Sequence, residues 1–249
     1  MPLQNRVTPM GDIVAVPERG SFTGNRGIIH DPQTRTLLKH WASRAWLICT
    51  LQWRDVRRNV MGTRSWTELF FLDEATGFAA GHRPCFFCRR AAAQAFQAGF
   101  PMNGRAAMPR ARDIDRVLHA ERVESRRKLL HNLPVPAAEL PNGAMILQDD
   151  APHLILEGQA HPWSLAGYGA SMATQDHARL ITPPSTVAVL TAGYRPKIHA
   201  SAFTERDRRH AVEVRGNKSS GRYSDGDRGM GVTEAVEWQP IQGTNHCGR

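Results

Sequence analysis

The chain has 249 residues, 41% of them hydrophobic and 22% charged, with a formal net charge of +9. That length accommodates an ordinary hydrophobic core, and the composition excludes a disordered or fibrous protein. No run approaches the ~18 apolar residues of a membrane helix, and the first twenty residues lack the apolar core of a signal peptide, so the expected location is cytoplasmic.

In chain order, residues 1–40 read as loops and short strands broken by Pro17, Gly20, Gly24 and Gly27. WASRAWLICTLQW has the aromatic and aliphatic bias of a strand ending near Cys49, and WTELFFL that of a second strand. Asp73 suits a helix N-cap, DEATGFAA the helix and Gly81 its left-handed stop, with Pro84 barring continuation. The alanines of RRAAAQAFQA predict another helix. DIDRVLHAERVESRRKLL predicts an amphipathic helix over residues 113–130, with Ile114, Val117, Leu118 and Glu121 on one side. NGAMILQDDAPHLILEGQAHPW reads as a β-meander turning at Asp149-Asp150 and Glu157-Gly158. TPPSTVAVLTAGYRPKIHASA then predicts a short helix stopping at Gly193.

Residues 205–249 hold seven glycines, eight Lys/Arg and seven Asp/Glu without periodicity, and read as a mobile tail. That tail contributes 8 − 7 = +1, which leaves +8 on residues 1–204. Strands and helices mix without a βαβ rhythm. The expected fold class is therefore α+β: a body over residues 1–204 with a zinc-knuckle module at about residues 40–100, followed by the tail.

Four cysteines in a cytosolic chain argue against a disulfide framework and for metal, redox chemistry or burial. Cys85 and Cys88 form a Cys-x-x-Cys within GHRPCFFCRR, where a tight turn points both sulfurs at one site. Cys49, at the end of a candidate strand, is the natural third ligand. His82 is the first choice for the fourth, ahead of His40 and His119. A zinc ion is the expected cofactor. Two other readings stay open: a redox dithiol at a helix N-terminus with Arg83, Arg89 and Arg90 nearby, and two buried cysteines without metal.

The run FFLDEATGFAAGHRPCFFCRR, with its strand, alanine-rich helix and Gly-x-Arg-Pro-Cys-x-x-Cys frame, resembles the end of the zinc-binding domain of Ada-type DNA-repair proteins over residues 66–90. The resemblance implies zinc on Cys85 and Cys88. Ada-type domains carry a second cysteine pair upstream, where this chain has only Cys49, so their methyl-acceptor activity is not implied. Residues 1–204 as a whole resemble uncharacterised bacterial proteins, which implies no activity.

The positive charge favours an anionic partner, most simply nucleic acid. Arg57, Arg58, Arg89 and Arg90 are the expected phosphate contacts: the first two lie in a stretch where Trp53 and Trp66 interleave with Arg54 and Arg64, the last two beside the cysteines with Arg83. The expected function is a zinc-binding cytosolic protein that contacts nucleic acid through a basic face. The alternative is a zinc hydrolase or deaminase with an open metal position, in which Glu121 of His119-Ala120-Glu121 carries protons. Its weakness is helical spacing, which points residues 119 and 121 in different directions. GNRG at 24–27 lacks the strand-to-helix setting of a phosphate loop.

Overall fold

A computed structural model describes residues 1–54, 59–101, 104, 107–175 and 177–203. The predicted tail, residues 205–249, lies outside the described residues. The fold is α+β.

Its N-terminal half builds a mixed sheet from β1 (Gln4–Val7), β2 (Ile13–Ala15), β3 (Phe22–Asn25), β4 (Leu47–Cys49), β5 (Leu69–Phe71) and β6 (Arg83–Pro84), ordered β2-β1-β5-β3-β4-β6. β1 pairs with β5, and β4 with β6, in parallel; the other pairs are antiparallel. β3 is central, and all four of its residues are buried. Gly24 is required there, because a Cβ would lie 2.0 Å from the Leu47 carbonyl oxygen and 2.7 Å from the Phe71 ring.

Helix α1 (Glu74–Ala79) has all six residues buried. Asp73 caps it as expected, accepting from Thr76 N at 2.8 Å. Gly81 ends it at φ +88, and His82 N donates to Gly77 O at 2.9 Å, which closes a Schellman-type stop. A Cβ on Gly81 would also meet the Arg122 side chain at 2.5 Å, so this glycine answers both to its φ and to close packing. α2 (Arg90–Ala98) follows the cysteines and packs Ala93 and Phe96 inward.

α3 (Ala111–Arg122) buries Ile114 and Leu118, with Val117 packed half-buried against the core. It stops eight residues short of the predicted end. Val123 is extended, and the chain turns into a hairpin of β7 (Val123–Glu124) and β8 (Arg127–Lys128). Ser125 and Arg126 both take positive φ, 47 and 68, the geometry of a tight two-residue turn. Tertiary contact overrides helix propensity here: the hairpin carries the Lys128 ammonium to the Ala79 carbonyl at the negative end of α1.

The second sheet is antiparallel, ordered β12-β11-β10-β9-β13, with β9 (Met145–Gln148), β10 (Ala151–Leu156), β11 (Gln159–Ser164), β12 (Gly167–Tyr168) and β13 (Arg179–Leu180). Its first two hairpins turn at Asp149-Asp150 (φ 50 and 57) and at Glu157-Gly158 (φ 49 and 72), where the sequence predicts them. α4 (Pro184–Thr191) starts on the second proline of its pair and ends before Gly193 (φ +105). Tyr194 N donates to Val189 O, so the two Ala-Gly-x-Arg-Pro segments end their helices in the same way.

One apolar cluster joins both sheets and all four helices through Ile48, Phe71, Phe78, Phe96, Ile114, Ile146 and Val189, among others. A smaller cluster of Cys49 and Cys85, with Leu47, Trp66 and Cys88 against it, lies apart from that core. No described helix is long and apolar enough to cross a membrane.

Candidate metal centre

The parallel pairing of β4 with β6 brings the cysteines together. Arg83 N donates to Trp46 O at 3.1 Å and Cys85 N to Ile48 O at 3.0 Å, so Cys49 and Cys85 leave the strand pair at the same end. A turn over residues 86–89, closed by Arg89 N donating to Cys85 O at 3.0 Å, returns Cys88 to that end. Phe87 N points at the Cys85 sulfur, 3.4 Å away. Such an N–H···S bond favours a thiolate, the form that binds metal.

The three sulfurs lie within 4.8 Å of one another. A tetrahedral ion with ~2.3 Å metal–sulfur bonds needs its sulfurs about 3.8 Å apart, so the cluster fits one ion with small adjustment. Cys49 and Cys85 are buried, Cys88 is half-buried, and none of the three is in a disulfide. A redox dithiol fits less well: Cys85 is 3% exposed, and a third sulfur has no part in a two-thiol exchange. Three thiolates are a soft donor set, which suits zinc, copper(I) or iron–sulfur chemistry and not magnesium or calcium.

His82 does not join the sulfurs. It is fully buried between Phe71 and Trp46, with ring centroids 4.7 and 5.1 Å away, and its Nε2 faces Arg26 Nε at 3.3 Å. Burial and the neighbouring Arg26 and Arg122 push its pKa well down, so the ring is neutral. The expectation of His82 as fourth ligand is therefore corrected: in an extended segment, residues three apart face opposite sides, and the chain is extended from His82 through β6 to Cys85. His40 is exposed beside Trp41, and the His119 ring packs edge-on against Trp41. Among the described residues no fourth His, Cys, Asp or Glu meets the 4.8 Å spacing. The fourth cysteine, Cys247, lies outside them.

Glu121, the proton carrier of the enzyme alternative, is engaged elsewhere. Its carboxylate accepts from Ser185 N at 3.0 Å and Ser185 Oγ at 2.6 Å, holding the first turn of α4. His119 Nδ1 faces Arg122 at 3.0 Å.

The predicted basic face divides. Arg57 and Arg58 lie outside the described residues. Arg89 is a correction: its side chain is 9% exposed, forms an ion pair with the buried Glu74 at 2.7 Å, and lies over the Phe22 ring. Sequence adjacency to a cysteine placed it near the site, but a carboxylate on α1 turns it inward. Arg83 is buried as well, in a two-bond pair with Asp115 at 2.8 Å each. Arg90, Arg54 and Arg64 are exposed.

What sequence reasoning missed is the ring pair beside the cysteines. Phe87, inside the Cys-x-x-Cys, is 52% exposed and packs against the half-buried Trp53 at 5.3 Å, with Arg54 over the Trp53 ring at 5.6 Å. Two consecutive phenylalanines at a turn, where only one can face inward, were the available signal. Comparison of the chain with protein families, with curated proteins and with solved structures found no match.

Proposed function

We propose that the protein is a cytosolic zinc-binding protein that contacts single-stranded nucleic acid over its cysteine knuckle. The observation that carries this reading is the three-sulfur cluster with the exposed Phe87 packed on the half-buried Trp53 and exposed cations, Arg54 and Arg90, beside it in the chain. Zinc is the fit for buried thiolates without a redox role, and it would fix the turn that presents Phe87. The resemblance of residues 66–90 to Ada-type zinc domains supports the same metal and the same class of partner. Rings stack on any base and cations meet any phosphate, so binding would be tolerant of sequence and steeply salt-dependent. Arg57 and Arg58 belong to the same stretch of chain and extend the same role. A three-sulfur set also suits a zinc that keeps one position for water, but a hydrolytic reaction there would need a proton carrier other than Glu121.

The test is fluorescence anisotropy of a labelled twenty-residue oligothymidylate with the full chain. Phe87→Ala is expected to weaken binding by about 1–3 kcal/mol, the value of one stacked base. Arg54→Glu with Arg90→Glu should weaken it further and lower the salt slope by about 2. Binding that ignores salt, or that survives all three substitutions, contradicts the reading.

A further inference from the structure

At the other end of the β4–β6 pair lies a second arrangement, built on Trp46. Trp46 immediately precedes β4 and Cys49 ends it, a separation of about 10 Å along extended chain. Trp46 is 3% exposed, and two guanidiniums stack on its ring: Arg26, with Cζ 3.8 Å from the ring centroid, and Arg122, at 3.9 Å. Both arginines are 1% exposed. The half-buried Lys128 adds a third cation at the same cavity.

These charges have neutral partners. Arg26 donates to Gly11 O at 2.9 Å and to His82; Arg122 donates to Gly81 O and Arg44 O at 2.8 Å each; Lys128 donates to Ala79 O. Among the described residues no carboxylate forms an ion pair with any of the three. Asp115, near Arg122, spends both oxygens on Arg83, and Asp12, near Arg26, is exposed. Arg26 NH2 and Arg122 Nε are buried without an acceptor. Buried charge without an ion-pair partner costs several kcal/mol, and two such guanidiniums with the Lys128 amine beside them form a strong attractor for a multiply charged anion.

The cavity has a volume of about 360 Å³, with Arg26, Arg122, Lys128, Trp46 and Trp41 in its wall; the exposed Arg126, Arg127 and Asp12 also line it, so five basic side chains there face one carboxylate. It adjoins a depression of about 760 Å³ that shares Asp12, His40, Trp41 and Arg126 and is walled by Ile13, Leu37 and Leu38. We propose that this cavity binds a small molecule carrying a phosphate monoester, the phosphate held by the cation cluster and the organic part lying over Trp41. A single carboxylate would balance only one of the two guanidinium charges; a phosphate dianion balances both, favours a proton on Lys128, and offers several acceptors to guanidinium N–H groups. The adjoining apolar wall favours an ester over free phosphate. This site is separate from the cysteines and does not depend on the metal.

The cluster also sets a pH signature. Burial, with repulsion from Arg122 and Arg26, pushes the Lys128 ammonium down from 10.5 to about 7. Between pH 7 and 10.5 the unfolded chain holds a proton on Lys128 that the folded chain does not, so stability should rise with pH across that window, and Arg26, pushed by burial down to about 9, adds to the rise above pH 9. A bound phosphate restores the proton and flattens the slope. Denaturant titrations at pH 7 and 9, with and without ligand, read both effects; a slope unchanged in Lys128→Met contradicts the assignment of the titration to this residue.

Binding itself is tested by calorimetric titration of the full chain with phenyl phosphate and with inorganic phosphate, at ionic strength fixed by potassium chloride. One molecule of phenyl phosphate per chain is expected, bound more tightly than inorganic phosphate, with proton uptake at pH 8. Arg126→Glu, on the exposed turn, should weaken it at least ~10-fold, about 1.4 kcal/mol, without moving the melting temperature. Arg90→Glu should leave it unchanged. No heat with either ligand, or equal affinity in Arg126→Glu and the wild type, overturns the proposal. Displacement of phenyl phosphate by oligothymidylate overturns its separateness from the nucleic-acid face.

Discussion

Cys85→Ser is expected to lower the unfolding free energy by about 3 kcal/mol or more, because structural zinc contributes its binding energy to folding and a serine hydroxyl does not replace a thiolate. Cys85 is the hinge of the site: its amide pairs with Ile48, its carbonyl closes the turn to Arg89, and its sulfur accepts from Phe87. If the cysteines were only buried, the same substitution would cost roughly 1–3 kcal/mol for enclosing a hydroxyl. A strong chelator separates the two cases. It should bring the wild type down to the level of the variant and leave the variant unmoved; a wild type indifferent to chelator would show that the sulfurs merely pack. Urea titration followed by tryptophan fluorescence measures all four states.

The second large effect is expected at Glu74. Its carboxylate is 1% exposed and receives Tyr194 Oη at 2.7 Å, Lys197 N at 3.0 Å and the Arg89 guanidinium at 2.7 Å. It thereby ties the knuckle's outgoing turn to the segment after α4, while Asp73 beside it takes Tyr168 Oη at 2.8 Å and His199 N at 2.9 Å. Glu74→Ala leaves Arg89 buried and uncompensated, a loss of about 3–5 kcal/mol. Adding Arg89→Met should recover a large part of that loss, because removing both charges removes the desolvation penalty. Costs that simply add in the double variant would mean the pair is not coupled.

Local chemistry made much of this fold legible. The Asp73 cap, the Gly81 and Gly193 stops and the two hairpin turns depend on residues within a few positions of each other, and each falls where the sequence places it. Cys49 was legible as a strand end, and its strand pairs with the one leading to Cys85. What the sequence hid was partnership over distance. Arg89 reads as a surface cation until Glu74, fifteen residues earlier, is brought against it. The helix over 113–130 reads as continuous until Lys128 is drawn to α1. His82 reads as a ligand by proximity, although strand parity, applied to residues 82–85, already turns it away from the sulfurs. The cation cluster on Trp46 draws on the residue before β4, α3, a hairpin and the GNRG segment, and none of these carries a local signature.

The most direct test is metal analysis joined to X-ray absorption on the full chain purified without chelator. The predicted result is one zinc per chain with about three sulfur neighbours at ~2.3 Å, reduced to a small fraction in Cys85→Ser. Metal-free protein that folds with unchanged stability, or zinc ringed by nitrogen and oxygen alone, would contradict it.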